Sequence, residues 1–295
     1  MIVDALIVGG GPAGLVAAVY LARFRRKVLV ADSGGGRASS IPISHNYPGF
    51  PDGIAGTDLL QRLRTQAQRY GATIVDTRID RIEHAGDGAF IAKDATQSFR
   101  AHRVVLATGV TDIEPELPNL RDAIRQGLIR HCPICDGYEV IGQRIAVIGS
   151  GTKGVAEAHF IRHFSDELTL FSLGRAGIDE REREGLAARG IAFVEAKVTE
   201  LQREGQAIVG LRTEDGRDFR FDTLYSALGS VAHCALAHQL GVDCADDGTI
   251  RTDRHLRTSI EGVYACGDIV HETLNQISVA AGQAAIAATA IHNSL

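Results

Sequence analysis

The sequence predicts an α/β protein made of two Rossmann-like three-layer domains, the second inserted into the first. Three observations predict it. Gly9, Gly11 and Gly14 stand in G-x-G-x-x-G spacing between a short apolar run and a small-residue segment of helical character. Gly149, Gly151 and Gly154 repeat that spacing in the same setting. A third apolar run, Gly262-Val263-Tyr264-Ala265-Cys266, ends at a sharp Gly267-Asp268 turn and so returns to the pattern of the beginning.

Each element follows from its residues. Ala5–Val8 is a continuous apolar run, as expected of a central parallel strand buried on both faces. Leu15 to about Phe24 is the helix after the first glycine loop, and Lys27–Ala31 is the next strand, ending at Asp32. Together they form a βαβ unit. Arg62–Tyr70 reads as a polar-faced helix. Thr73–Phe99 reads as several short strands with a turn at Gly86-Asp87-Gly88. Arg103–Ala107 is a further strand closed by Thr108-Gly109. The polar stretch 112–126 reads as a crossover. In the second βαβ unit, Arg144–Ile148 is the strand, Val155–Phe164 the helix and Glu167–Phe171 the following strand, with Thr223–Ala227 closing it. Gln276–Ile291 is an alanine-rich helix. The expected division is 1–112 with 244–295 as one domain and 113–243 as the inserted one.

Composition narrows the function. The chain has 295 residues, 45% apolar and 23% charged, enough for a sizeable core. Net charge is -5 with no basic tail, so nucleic acid is not an expected partner. No apolar run reaches the ~18 residues of a membrane span. The first residues lead into a glycine loop and lack the basic start and cleavage site of a leader, so the expected location is cytoplasmic. Five cysteines at wide spacing are not a secreted disulfide framework.

The glycine loops carry the ligand chemistry. The first glycine allows a tight turn, the second lets backbone approach a pyrophosphate, and the third lets helix and strand pack closely. Free N–H groups at the helix start can then hold phosphates. Asp32, a strand-end carboxylate some twenty residues on, can accept hydrogen bonds from ribose hydroxyls. Both domains thus read as dinucleotide-binding domains. The second loop lacks such a carboxylate: its strand ends at Phe171-Ser172, and Arg175 is the only nearby cation, one that could meet a 2′-phosphate or be a solvated surface charge. Nicotinamide binding and a vacated Rossmann fold remain open there.

Cys132-Pro133-Ile134-Cys135 is the sharpest chemical signal. Two intervening residues bring the thiols within disulfide reach in a turn. Asp136 could shuttle a proton to a leaving thiolate or simply cap the turn, and His131 could do the same or be a solvated loop histidine. A zinc knuckle would need two further ligands, and no second close cysteine pair supplies them, so no metal is expected. Cys234, Cys244 and Cys266 read as small buried residues.

These motifs together resemble the low-molecular-weight thioredoxin reductase-like FAD/disulfide oxidoreductase family. The resemblance rests on Gly9-Gly10-Gly11-Pro12-Ala13-Gly14, Asn46-Tyr47-Pro48-Gly49-Phe50, Ala107-Thr108-Gly109, Cys132-Pro133-Ile134-Cys135-Asp136-Gly137 and Gly267-Asp268 with Asn275-Gln276-Ile277. It covers nearly the whole chain. It implies FAD held by the first loop with Pro12, Ala13, Asn46, Ala107, Thr108 and Gly109. It also implies Asp268 on the ribityl chain and Gln276 and Ile277 at the flavin ring edge. By the same resemblance Cys135 faces the flavin, Cys132 exchanges with the partner, and Asp136 is the acid/base. A homodimer and a swinging inserted domain are implied as well. The partner would be a thioredoxin-like protein or a small dithiol/disulfide substrate.

The sequence departs from the family where NADPH-using members carry a His-Arg-Arg cluster. Ser172-Leu173-Gly174 stands there, which leaves NADPH against NADH open. Asn275 stands where an arginine is common. The stretch around Cys132 is similar to dithiol oxidases that pass electrons to oxygen, and a ferredoxin-fed branch also exists. Both are alternatives to the reductase reading.

Overall fold

The computed structural model describes residues 2–115, 128–172, 177–204 and 207–295. The described chain forms two compact units. One comprises residues 1–43, 47–111 and 231–295, the other 44–46 and 112–230.

The first unit begins with β1 (Ile2–Val8), α1 (Pro12–Arg23), β2 (Val28–Asp32), α2 (Gly56–Arg69), β3 (Thr73–Asp76), β4 (Arg81–His84), β5 (Phe90–Lys93) and β6 (Ser98–Leu106). β1 pairs in parallel with β2 on one side and β6 on the other, while β5 and β4 continue the sheet antiparallel. The strand order is β3-β2-β1-β6-β5-β4. Connections therefore run in opposite senses from β1, which makes its C-terminal end and that of β6 the switch point where such sheets bind ligands. Leu6, Ile7, Val105 and Leu106 at this centre are at most 1% exposed. Burial of each such aliphatic side chain stabilises by about 1.5–3 kcal/mol.

After β7 (Val110–Asp112), the second unit contains β8 (Ile129–Arg130), α3 (Pro133–Asp136), β9 (Ile145–Gly149), α4 (Gly151–Ile161), β10 (Leu168–Phe171), α5 (Glu180–Ala188) and β11 (Ala192–Val194). Next come β12 (Val198–Glu204), β13 (Ala207–Thr213), β14 (Asp218–Arg220), β15 (Thr223–Ala227) and β16 (Ser230–Ala232). The parallel order β11-β10-β9-β15-β8 repeats the switch, here between β9 and β15, and β12-β13-β14 form an antiparallel layer. The chain then returns through α6 (Ala235–Gln239), β17 (Val263–Ala265) and α7 (Ile277–Asn293). β17 joins the first sheet beside β6 in parallel register, Tyr264 opposite Val105.

The second unit ends at 230, not at 243 as expected. Leu236, Ala237, Leu240 and Val242 are buried in the core of the first unit, so the short helix α6 packs there. Its five residues carry too little periodicity to be seen in sequence. Other elements start earlier than their apolar pattern suggests. Pro12 opens α1 because a proline at the first helical position loses no hydrogen bond. α2 begins at Gly56, where a Cβ would stand 1.8 Å from the Ala38 carbonyl oxygen. No helix among the described residues is long and apolar enough to cross a membrane.

Candidate active site and nucleotide cradle

In the first unit the glycine loop is shaped by close backbone contacts. Gly9 has φ +117°, and a Cβ there would lie 2.2 Å from the Ala107 carbonyl oxygen, so the ends of β1 and β6 touch. A Cβ on Gly14 would lie 1.9 Å from the Gly9 carbonyl oxygen, which locks the first turn of α1 onto the loop. Gly11 differs: nothing lies within 4 Å of its Cβ position. That open side faces a helix start with no side-chain cap and no acidic residue in its first turn, and Pro12 occupies its first position. Uncapped N–H groups beside open space suit a pyrophosphate.

Asp32 closes over Gly10, whose Cβ would meet the carboxylate at 2.1 Å. Its Oδ1 accepts from the Gly34 N–H at 2.9 Å and its Oδ2 from Arg64 at 2.6 Å. Arg64, on α2, also donates to Asp76 at 3.0 Å. Sequence reading missed this arginine, since no local pattern links residues so far apart. It leaves Asp32 anchored, with lone pairs still able to accept from a ribose diol.

Thr108 and Gly109 continue from β6, Gly109 at φ +66°. His233 ties this loop down: its Nδ1 meets the Thr108 carbonyl at 2.8 Å, its Nε2 the Thr111 hydroxyl at 2.8 Å, and its N–H donates to the Gly109 carbonyl at 3.0 Å. Gly267, at φ +85°, stands against α1, a Cβ there falling 2.9 Å from Ala13 Cβ. Its N–H donates to Gln283 Oε1 at 2.7 Å. Asp268 pairs with Arg37 at 3.1 Å. Gln276 is the N-cap residue of α7 and Ile277 its first residue, with no side-chain cap. The first unit thus gathers Gly9–Gly14, Asp32, Ala107–Gly109, Gly267-Asp268 and the start of α7, and this set fits a dinucleotide. Asn46 groups instead with the second unit, where its Nδ2 donates to the Ile134 carbonyl at 3.2 Å.

The second loop has the same steric logic. A Cβ on Gly149 would lie 2.9 Å from Gly154 Cα and 3.1 Å from Ala227 Cβ, so β9 and α4 meet backbone to backbone and the end of β15 packs close against them. Gly151 takes φ +61°, and α4 has no side-chain cap and no acid in its first turn. Ser172, at the end of β10, is 2% exposed, and its hydroxyl has no hydrogen-bond partner among the described residues. A buried hydroxyl at this strand end fits a polar ligand group. Arg175 lies outside the described residues.

Cys132 and Cys135 are joined in a disulfide, with Cα atoms 5.2 Å apart. The pair is half-buried on the one-turn helix α3, where Cys132 is the N-cap residue and the Cys135 N–H donates to its carbonyl at 2.9 Å. Pro133 pre-sets the backbone for that turn. Asp136 ends it. Its Oδ2 accepts from Arg130 on β8 at 2.7 Å, and its Oδ1 accepts from the Tyr225 hydroxyl on β15 at 2.7 Å. Tyr225 is wholly buried, and burial, with the neighbouring Asp136 charge, drives its phenol far above the ordinary range. It is a neutral, permanent donor. Neither Arg130 nor Tyr225 is marked in the sequence.

The remaining thiols are not part of this centre. Cys234 and Cys244 are half-buried, and burial raises the Cys244 thiol. Cys266 is fully buried and its thiol is pushed up to about 12. Iodoacetamide at pH 8 is therefore expected to leave Cys266 unmodified in the native protein and to label it after unfolding, as read by peptide mass spectrometry. Because the folded value lies above that of the unfolded chain, Cys266 supports stability below pH ~9 and loses that support as pH rises towards its folded value.

Residues 3–284 match the family model of the pyridine nucleotide-disulphide oxidoreductases. A thioredoxin reductase from Streptomyces coelicolor is 33% identical over 97% of this chain and 91% of its own. The bifunctional thioredoxin reductase/thioredoxin of Mycobacterium leprae is 30% identical over 97% of this chain and 64% of its own length. Among solved structures, HlmI superposes with a TM-score of 0.92 at 31% identity, covering 99% of this chain and 92% of that one. The thioredoxin reductase of Streptococcus pyogenes gives the same TM-score at 27% identity, with 99% and 97% covered. With a close cysteine pair on a parallel-sheet unit and a glycine cradle on another, the chain belongs to the pyridine nucleotide-disulphide oxidoreductases, and within them it is an oxidoreductase of the thioredoxin reductase type.

Proposed function

We propose that this protein is an FAD-dependent thiol/disulfide oxidoreductase that reduces the disulfide of a thioredoxin-like protein, with NADPH or NADH as donor. The observation that carries the reading is the Cys132–Cys135 disulfide, held half-exposed on a one-turn helix. In this reading the first unit is the FAD-binding domain. Gly9, Gly11, Gly14, Pro12 and Ala13 hold the pyrophosphate, Asp32 the ribose and Asp268 the ribityl chain, while Ala107–Gly109, Gln276 and Ile277 border the ring. FAD, when bound, supplies two-electron redox chemistry. The second unit would take the nicotinamide nucleotide at Gly149, Gly151 and Gly154. A homodimer, implied by the family, and a cytoplasmic location complete the reading. The relatives named as thioredoxin reductases lend no support to the oxidase or ferredoxin-fed alternatives.

Exchange at the reduced pair balances internally. The Cys132 thiolate attacks one sulfur of the partner disulfide, that S–S bond breaks, and the departing thiolate takes a proton. Cys135 then attacks the Cys132 sulfur, reforms the internal disulfide and releases the second thiolate, which takes another proton. Asp136 beside Cys135 is the proton-handling group. One dithiol has been oxidised and one disulfide reduced.

Anaerobic addition of NADPH, NADH and dithiothreitol to the purified yellow protein tests this. Bleaching by a nicotinamide nucleotide, followed by reduction of added thioredoxin, is the expected result. A protein that stays colourless after addition of FAD would overturn it.

A further inference from the structure

We propose that Arg130 and Tyr225 are positioning residues for thiol–disulfide exchange: they clamp the two oxygens of the Asp136 carboxylate so that it stays oriented beside the cysteine pair. This rests on the reading of Asp136 as the proton-handling group and extends it to residues on two strands.

The geometry is complete within the second unit. Ile129–Arg130 is an edge strand of its parallel sheet, and Leu224 and Tyr225 pair with it in register. Arg130 and Tyr225 therefore lie opposite one another on adjacent strands, at the sheet end from which α3 departs. Each reaches one oxygen of Asp136, both at 2.7 Å. Such contacts to an ionised group are the short, strong class of hydrogen bond. The side chains of Arg130 and Asp136 are 29% and 21% exposed, so solvent competes only partly with the clamp.

Several features indicate more than packing. A phenylalanine at 225 would fill the same fully buried space without placing a hydroxyl in the core. The hydroxyl is instead aimed at the one carboxylate adjoining Cys135. Tyr225 cannot itself ionise in the working range, so it donates to Asp136 at every stage of the exchange. Arg130 supplies the fixed positive charge. Glu139, in the 3-10 turn Tyr138–Val140 that follows α3, opposes Arg130 in its effect on Tyr225. A carboxylate held at both oxygens by donors on two strands keeps one orientation. It can then take a proton from a cysteine thiol as the thiolate forms, and pass one to the departing sulfur.

The test is a pre-steady-state measurement on the reduced flavin-loaded protein. The rate at which the dithiol reacts with an aromatic disulfide is followed from pH 5 to pH 9, for the wild type and for Asp136→Asn, Tyr225→Phe and Arg130→Gln. Loss of one hydrogen bond to a charged group is expected to slow the reaction by roughly tenfold near neutral pH in Tyr225→Phe. The loss is expected throughout the pH range, with thermal stability and flavin content little changed. Arg130→Gln is expected to act in the same direction, and Arg130→Lys to restore part of the rate. If Asp136→Asn slows exchange while Tyr225→Phe and Arg130→Gln keep the wild-type profile, the clamp is wrong and the role of Asp136 stands. If Asp136→Asn itself leaves the profile unchanged, both are wrong. Should Tyr225→Phe fold poorly, the Arg130 pair of variants decides alone.

Discussion

Cys132→Ser is expected to abolish turnover with disulfide substrates, by on the order of a thousandfold or more, because a serine hydroxyl is no substitute for a thiolate nucleophile at neutral pH. Flavin content should be unchanged, since the residues proposed to hold the cofactor lie in the other unit and include neither cysteine. Cys135→Ser separates the two sulfurs further. It leaves Cys132 able to attack but removes the thiol that resolves the mixed disulfide. A covalent adduct with an oxidised thioredoxin should therefore accumulate in Cys135→Ser and be absent in Cys132→Ser, as read on non-reducing gels and by intact mass. An adduct in the opposite variant would exchange the two assignments. Loss of flavin together with activity in Cys132→Ser would contradict the separation of cradle and thiol centre.

Two glycine variants should divide the first loop by role. In Gly14→Ala the new methyl is placed 1.9 Å from the Gly9 carbonyl oxygen, a contact with backbone that cannot swing away. Either α1 or the end of β1 must move, at a cost of about 1–3 kcal/mol, and the purified protein should lose both thermal stability and flavin. Gly11→Ala meets nothing within 4 Å. Its apo form should unfold at the wild-type temperature, yet its flavin content should fall, because the methyl enters the space assigned to the pyrophosphate. A Gly11→Ala protein that keeps its flavin would remove the ligand from that side of the loop. These measurements need only absorbance spectra and melting curves on protein before and after flavin addition.

Much of this was legible in the sequence, and for a physical reason. Glycine spacing reports where backbones must touch, and the positions marked in both loops are those where a Cβ would collide, save Gly11 and Gly151, where the space is open or the backbone left-handed. Buried parallel strands such as Ile145–Gly149 show as unbroken apolar runs, and their ends were placed within a residue or a few. Less was read where the signal was short or lay in side-chain reach. Helix α5 was not anticipated, although Asp179 and Glu182 form a capping box that the sequence displays. The antiparallel layer β12–β14 is not legible because β12 (VTELQRE) is mostly polar without a period of two and β14 is only three residues long. Arg37, Arg64, Arg130, Tyr225, His233 and Gln283 could not be found from sequence at all. Arg130 reaches six residues along to the end of α3 and the others act on partners further off in the chain, and no periodicity encodes such pairings.

Placement of β17 beside β6, with Gly267 seated on Ala13, has a consequence for biosynthesis. The Gly9–Gly14 loop is walled in part by a residue that follows the whole second unit in the chain. A nascent polypeptide on the ribosome can assemble the second unit before that wall exists. Completion of the glycine loop thus waits on Gly267, and a chain cut short before β17 should carry a finished second unit beside a first sheet that still lacks a strand.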